Sequence, residues 1–151
     1  MNNTVDLIKD LRNKTGAGFL DCKNALSENN NNLEASIEFL RKKGLAKASK
    51  KSSREAIEGA VGIYSNKKII VLIKVNSETD FAAKSDIFLN FLDELGDFAI
   101  ENCNINHSKE DFLSLVYKDT LVSEFFDSMI AKIGENLILN DLIILENKNF
   151  Y

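Results

Sequence analysis

The residues best placed to do chemistry lie in the stretch Val75–Asp86, where Glu78-Thr79-Asp80-Phe81 sets two carboxylates, a hydroxyl and a large ring side by side. Two carboxylates this close could share acid–base work, but only beside a substrate pocket or a metal cluster. The neighbouring sequence suggests neither. The single histidine, His107, falls in a polar loop, and no Ser/His/Asp or Cys/His constellation can be built around it. Gly16-Ala17-Gly18 resembles a phosphate cradle only superficially. A P-loop needs wider spacing and a Gly-Lys-Ser/Thr ending after a strand, whereas these glycines follow a helical pattern and supply room for a tight turn. Cys22 and Cys103 have no CxxC spacing, which argues against a zinc site or disulfide framework and for small buried or half-buried thiols. The chain therefore reads as a binding protein without covalent chemistry, cofactor or metal. Phe81 beside Asp80 leaves two readings open. Either Asp80 caps the coming helix while Phe81 folds into the core, or Phe81 points outward as an anchor for a partner, with Asp80 competing for polar contacts there.

The flanking patterns decide what holds these residues. Lys68–Val75 is rich in β-branched residues and reads as a strand, paired with Ala60–Tyr64 through a short turn at Ser65-Asn66-Lys67. After the loop, Phe88, Phe91, Leu92, Leu95 and Phe98 recur on one face of a helix running from Ile87 to about Ile100, and such a stripe is core. Ser108-Lys109-Glu110-Asp111 has the form of a capping box before Phe112, Leu115 and Val116. A last helix, Leu121–Ile133, ends at Gly134, and Leu137–Leu145 is a third strand. Upstream, a helix begins near Thr4 as N-cap with Val5, Ile8 and Leu11 facing inward. A second carries Phe19, Cys22, Ala25 and Leu26, one of the adjacent Phe19 and Leu20 packing inward and the other staying exposed. A third, capped by Asn32, carries Leu33, Ile37 and Leu40, with Gly44 at its C′ position. The fold class is α+β: a three-helix unit over residues 1–45, a basic linker over 46–57, and a small three-stranded antiparallel sheet packed on helices over 58–151.

Bulk properties agree with two modules. Hydrophobic residues make up 44% of the 151 and charged residues 28%, ordinary for a globular protein. The net charge of −4 conceals an asymmetry: residues 1–54 carry 11 basic against 6 acidic side chains, and residues 55–151 carry 8 against 17. The basic segment Leu45–Arg54 extends as a helix and acts as a linker, either solvated or in contact with an acidic partner surface or ribosomal RNA. It lacks aromatics among its lysines, so nucleic-acid reading is not indicated. No apolar run approaches membrane-span length. Met1–Asp6 lacks the character of a signal or transit peptide. These features predict a protein that works where it is made, in a bacterial cytoplasm or in an organelle matrix if organelle-encoded.

Three blocks carry a family resemblance. Ser77-Glu78-Thr79-Asp80-Phe81-Ala82-Ala83-Lys84-Ser85 resembles the signature of translation elongation factor Ts, the nucleotide-exchange partner of the GTPase elongation factor Tu. Leu7–Leu26, containing Arg12-Asn13-Lys14-Thr15-Gly16-Ala17-Gly18-Phe19-Leu20-Asp21-Cys22-Lys23, with Glu38–Ala48, is similar to the opening of that family, and Ala131-Lys132-Ile133-Gly134-Glu135-Asn136 is a third match. The resemblance implies a UBA-like N-terminal domain, binding to elongation factor Tu in its GDP form, and insertion of the Thr79, Asp80, Phe81, Ala82 loop between helices of the GTPase domain so as to disturb the magnesium ion at its nucleotide. It also implies contacts from Arg12, Phe19 and Leu20, the last two standing where the family usually has methionines. Ala82 and Ser85 depart from the usual Val and Asn. Family members typically carry a second core subdomain after the Gly-Glu-Asn strand, and the basic residues that come after that motif are replaced here by Leu139-Asn140-Asp141. The resemblance to short members implies a homodimer through the apolar strand Leu142-Ile143-Ile144-Leu145. A chain that docks on elongation factor Tu or the ribosome without driving exchange is the alternative.

Overall fold

The computed structural model describes residues 3–148, so the first two residues of the expected first unit and the last three of the expected second lie outside the described residues. Three helices come first: α1 (Thr4–Thr15), α2 (Phe19–Glu28) and α3 (Leu33–Lys51). Ile8, Leu11, Cys22, Ala25 and Leu26 form their common core, with Leu33, Ile37 and Leu40 packed against it. The Asn32 side chain accepts the Ala35 N–H at 2.9 Å and starts α3. The buried Ser36 hydroxyl donates to Ala25 O at 3.1 Å and ties α3 to α2. Val5 does not join this core: packing against α1 begins only at Leu7 and Ile8, so the first turn leaves Val5 exposed.

A three-stranded antiparallel sheet comes next, in the order β1 (Glu58–Ser65), β2 (Ile69–Ser77), β5 (Ile138–Glu146). Asn66 closes the β1–β2 turn by accepting the Lys68 and Ile69 N–H groups at 2.8 and 2.9 Å. The inward face of β2 presents Ile69, Val71, Ile73 and Val75 to α5 (Asp86–Asn102) and α7 (Val122–Ile133). The predicted stripe on α5 is core, with Phe88, Phe91, Leu92 and Leu95 buried and Phe98 half-buried. Phe91 meets Phe125 and Phe126 of α7 edge-on at 4.9 Å between centroids. Pairing of β2 with β5 shifts between Lys74 and Val75, so Asn140 has no partner opposite it.

Further details depart from the sequence reading: the N-cap of α1 is Asn3, with Thr4 already helical. Helix α3 does not stop at Gly44 but runs on to Lys51. Residues 45–51 are mostly Ala, Lys and Leu, all good helix formers, and Ala48 inserts into the second core. Gly44 lies inside the helix facing α7, where a Cβ would meet the Ala131 methyl at an ordinary contact distance of 3.7 Å. Another departure comes after the capping box at Ser108, which is present as predicted. Its helix, α6, is short (Lys109–Leu113) and gives way to a hairpin of β3 (Val116–Tyr117) and β4 (Thr120–Leu121). Val116 is therefore exposed instead of facing inward. The hairpin turn puts Lys118 and Asp119 at φ 48° and 68°, and Lys-Asp is not among the usual residues for such a turn.

Gly59, with φ +152°, opens β1 at its closest approach to β2: a methyl group there would overlap the Val75 carbonyl oxygen and press on Asn76 Cα. Backbone cannot yield as a side chain can. Gly59→Ala is expected to cost about 2–3 kcal/mol and lower the thermal midpoint by roughly 5–10 °C, measurable by calorimetry. An unchanged midpoint would contradict the close approach.

Candidate functional site

The Thr79-Asp80-Phe81 stretch is a single helical turn, α4 (Asp80–Ala83), between the end of β2 and the start of α5. Its geometry begins with Thr79, the N-cap, in extended conformation at φ −123°, ψ 154°. Thr79 Oγ1 accepts the Ala82 N–H at 3.2 Å, and its own hydrogen goes to Glu135 Oε1 at 2.6 Å. The other oxygen of Glu135 accepts the N–H groups of Glu78 and Thr79, each at 3.0 Å. The arrangement is reciprocal: Glu78 Oε1 accepts the Asn136 N–H at 2.8 Å and lies 3.5 Å from the Arg54 guanidinium. Ser77 Oγ donates to Thr79 O at 2.8 Å. Each of two turns thus lends a carboxylate to the backbone of the other, with charge-assisted bonds stronger than neutral ones.

On this support the bland reading of Phe81 fails. Ser85 caps α5, accepting the Phe88 N–H at 3.3 Å, so Asp80 is not needed there. Thr79 caps the α4 turn, Ala83 takes the inward position, and Phe81 is left 83% exposed. Ala82 is half-buried. Asp80 pairs with Lys84 at 2.9 Å, and this bond holds the Asp80 carboxyl below the usual carboxylate range and the Lys84 ammonium above its own. Glu78 and Asp80 therefore each have their own partner and form no acid–base couple.

The other predicted residues lie on the first unit. Arg12 is exposed in the last turn of α1, where with Lys9, Asn13 and Lys132 of α7 it borders an open recess at Gly16. Phe19 and Leu20 open α2 and are 52% and 66% exposed. The expectation that one would pack inward is overturned because Ala17 closes the core at this end, just ahead of Gly18, and Cys22 takes the next inward position. Arg12, Phe19 and Leu20 share this unit, and Thr79–Ala82 sit on the second. Sequence reasoning did not single out Glu135, Asn136 or Arg54 for any role. The signal available was Gly134-Glu135-Asn136 just after an apolar helix, with Gly134 at φ +84° as its C-cap. Cys22 and Cys103 are free thiols, and burial pushes that of Cys103 up to about 11. Among the described residues no group of three acidic, His or Cys side chains could hold a metal, and no helix is long and apolar enough to cross a membrane.

A family model described as Elongation factor TS matches residues 78–151. Elongation factor Ts of Ruthia magnifica subsp. Calyptogena magnifica is 42% identical over 153 residues, covering 99% of this chain and 51% of the relative. That of Methylorubrum extorquens (strain PA1) is 44% identical over 147 residues, covering 96% and 47%. That of Xanthomonas campestris pv. campestris (strain B100) is 42% identical over 151 residues, covering 99% and 51%. The chain spans about half the length of the curated relatives it matches.

Removal of the Glu135 carboxylate should loosen the α4 turn and little else. Glu135→Ala is expected to cost about 1–3 kcal/mol while the sheet and both cores persist. In amide hydrogen exchange, Glu78 and Thr79 should lose protection while Val71 and Ile73 in mid-sheet keep theirs. Retained protection at Glu78 and Thr79 would show that the carboxylate does not hold the turn.

Proposed function

The chain belongs to the elongation factor Ts family, and from that premise we propose that it binds elongation factor Tu in its GDP form and promotes GDP release and GTP exchange. The observation that carries this reading is Phe81: a large ring, 83% exposed, on a turn whose backbone is held by Glu135. An exposed ring on a restrained backbone loses little further freedom on binding, so its burial goes into affinity. In this reading Phe81 is the apolar wedge that enters between helices of the GTPase domain. Asp80 exchanges Lys84, a surface pair worth little, for polar groups near the nucleotide's magnesium ion. Thr79 and Ala82 fix the angle of the turn. Magnesium demands near-ideal octahedral geometry, so a small displacement of its surroundings loosens the nucleotide. Linkage makes the effect mutual: GDP weakens binding of this protein by the factor by which this protein weakens GDP.

Arg12, Phe19 and Leu20 supply the second contact of the proposal, on the basic first unit. The N-terminal unit, taken as residues 1–45, docks, and the α+β unit from residue 58 onward carries the wedge. The segment between, residues 46–57, begins as the last turns of α3.

A further surface fits a second copy of this chain. On the outward face of the sheet, cross-strand rows Ile63–Leu72–Ile143 and Ile70–Leu145 make an apolar patch with Val61 beside it. A patch of this kind on an antiparallel sheet matches an interface between copies. Sedimentation or light scattering at micromolar concentration and physiological salt should then give a dimer, and a monomer would refute this part of the proposal.

The exchange reading is tested by release of a fluorescent GDP analogue from elongation factor Tu. The protein should accelerate release strongly, and Phe81→Ala should lose about 1–3 kcal/mol of binding and most of the acceleration while its thermal midpoint stays within a degree or two. Binding without acceleration would favour the docking-only alternative.

A further inference from the structure

The backbone just before β1 is also held down, and it presents a second apolar side chain. Asn136 Nδ2 donates to Arg54 O at 2.8 Å and reaches Ser52 O at 3.5 Å. Asn76 Nδ2 donates to Ala56 O at 2.9 Å. Both asparagines are buried, as is Ala56. Asn76 Oδ1 is buried with no hydrogen-bond partner among the described residues. An unpartnered buried acceptor carries a desolvation cost, so a side chain retained there solely for stability is a poor choice. What it accomplishes is positional: it fixes the chain at Ala56.

The next residue, Ile57, is 71% exposed, with buried Ala56 on one side and the start of β1 at Glu58 on the other. Glu58 faces Ser77 at the last pair between β1 and β2, so Ile57 lies just beyond the pairing, at the end of the sheet where Glu78 and the Thr79 cap follow β2. The α4 turn packs against β1, and the Glu58 carboxylate adds to the attraction that raises the Lys84 ammonium. Ile57 and Phe81 therefore lie at the same end of the sheet, Phe81 on a turn held by Glu135 and Ile57 beside backbone held by Asn76 and Asn136. A β-branched side chain is stiff at χ1, so little entropy is left for Ile57 to lose on burial.

We propose that Ile57 is a second apolar anchor for the partner that receives Phe81, and that the partner's recess extends past the ring to take both side chains. This inference rests on the exchange reading above and adds to it. The surroundings define the recess. Glu58, Asp80 and Lys84 border the two apolar side chains, so the partner presents an apolar floor with a polar rim at this end.

The test titrates elongation factor Tu loaded with a fluorescent GDP analogue with the full chain, and reads the half-maximal concentration and the maximal rate of release. Four proteins are compared: the natural sequence, Ile57→Ala, Phe81→Ala, and Val116→Ala as a control that removes an exposed β-branched residue from the β3 hairpin. Ile57→Ala is expected to raise the half-maximal concentration about tenfold, as burial of most of an isoleucine side chain implies. Its maximal rate should stay close to that of the natural sequence, because the wedge itself is intact, and Val116→Ala should match the natural sequence in both. Ile57→Asp should be weaker still, and circular dichroism should show both Ile57 variants folded. If Phe81→Ala loses release while Ile57→Ala titrates like the natural sequence, the second anchor is wrong and the exchange reading survives. If Phe81→Ala also titrates and releases like the natural sequence, both fall together.

Discussion

The exchange role proposed for the Phe81 turn depends on one carboxylate. Glu135 accepts three hydrogen bonds, from the Glu78 and Thr79 N–H groups and the Thr79 hydroxyl, at 2.6 to 3.0 Å. Two of those donors sit where the chain leaves β2 and has no strand partner left, and they would otherwise need water. The Glu78 carboxylate returns the bond to Asn136, so the two turns lock each other. Gly134 makes the lock possible, since only a left-handed residue at the end of α7 turns the chain back sharply enough to bring Glu135 to the loop. A turn fastened in this way can leave a phenylalanine in water without collapsing over it.

The same economy governs how the two cores are joined. α3 is long enough to belong to both: its first half packs on α1 and α2, and Ala48 near its end is part of the core beneath the sheet. Gly44 and Ala131 bring α3 close to α7, and Arg41 reaches across to Glu124 of α7 at 3.1 Å while holding Glu38 at 2.7 Å. These ion pairs are partly exposed and contribute little on their own, so the apolar contact does most of the joining. The consequence for function is geometric. α7 lies against α3 and is followed by Gly134-Glu135-Asn136, so the element that leads into the support of the Phe81 turn is also the element on which the three-helix unit rests.

Strands, long helices and the aromatic stripe of α5 were legible because each follows a strong period in apolar residues. The Ser108–Asp111 capping box was legible for the same local reason. What escaped was non-local or chemically unusual. Lys118-Asp119 turns a hairpin without the customary glycine or asparagine, so Val116 looked like a helix residue. Gly44 looked like a stop because local chemistry cannot reveal that α3 continues past it to pack against α7, where Ala131, 87 positions on, lies beside it. The outward position of Phe81 could not be decided from Asp80-Phe81 itself. It follows from Thr79, Ala83 and Ser85 taking the capping and inward roles, and from Glu135, 56 residues away from Thr79, fixing the turn. Ile57 was invisible for a similar reason: its exposure comes from two buried asparagines that hold its neighbours.

The central claim is that Glu135 acts by holding the Phe81 turn, and a double-mutant cycle tests it directly. GDP release from elongation factor Tu would be measured for the natural sequence, Glu135→Ala, Phe81→Ala and the double variant. If the carboxylate works through the ring, Glu135→Ala slows release in the natural background and changes almost nothing once Phe81 is gone, leaving a coupling energy close to the whole single-variant loss. Losses that simply add would contradict the account, because they would mean that Glu135 and Phe81 act on the partner separately.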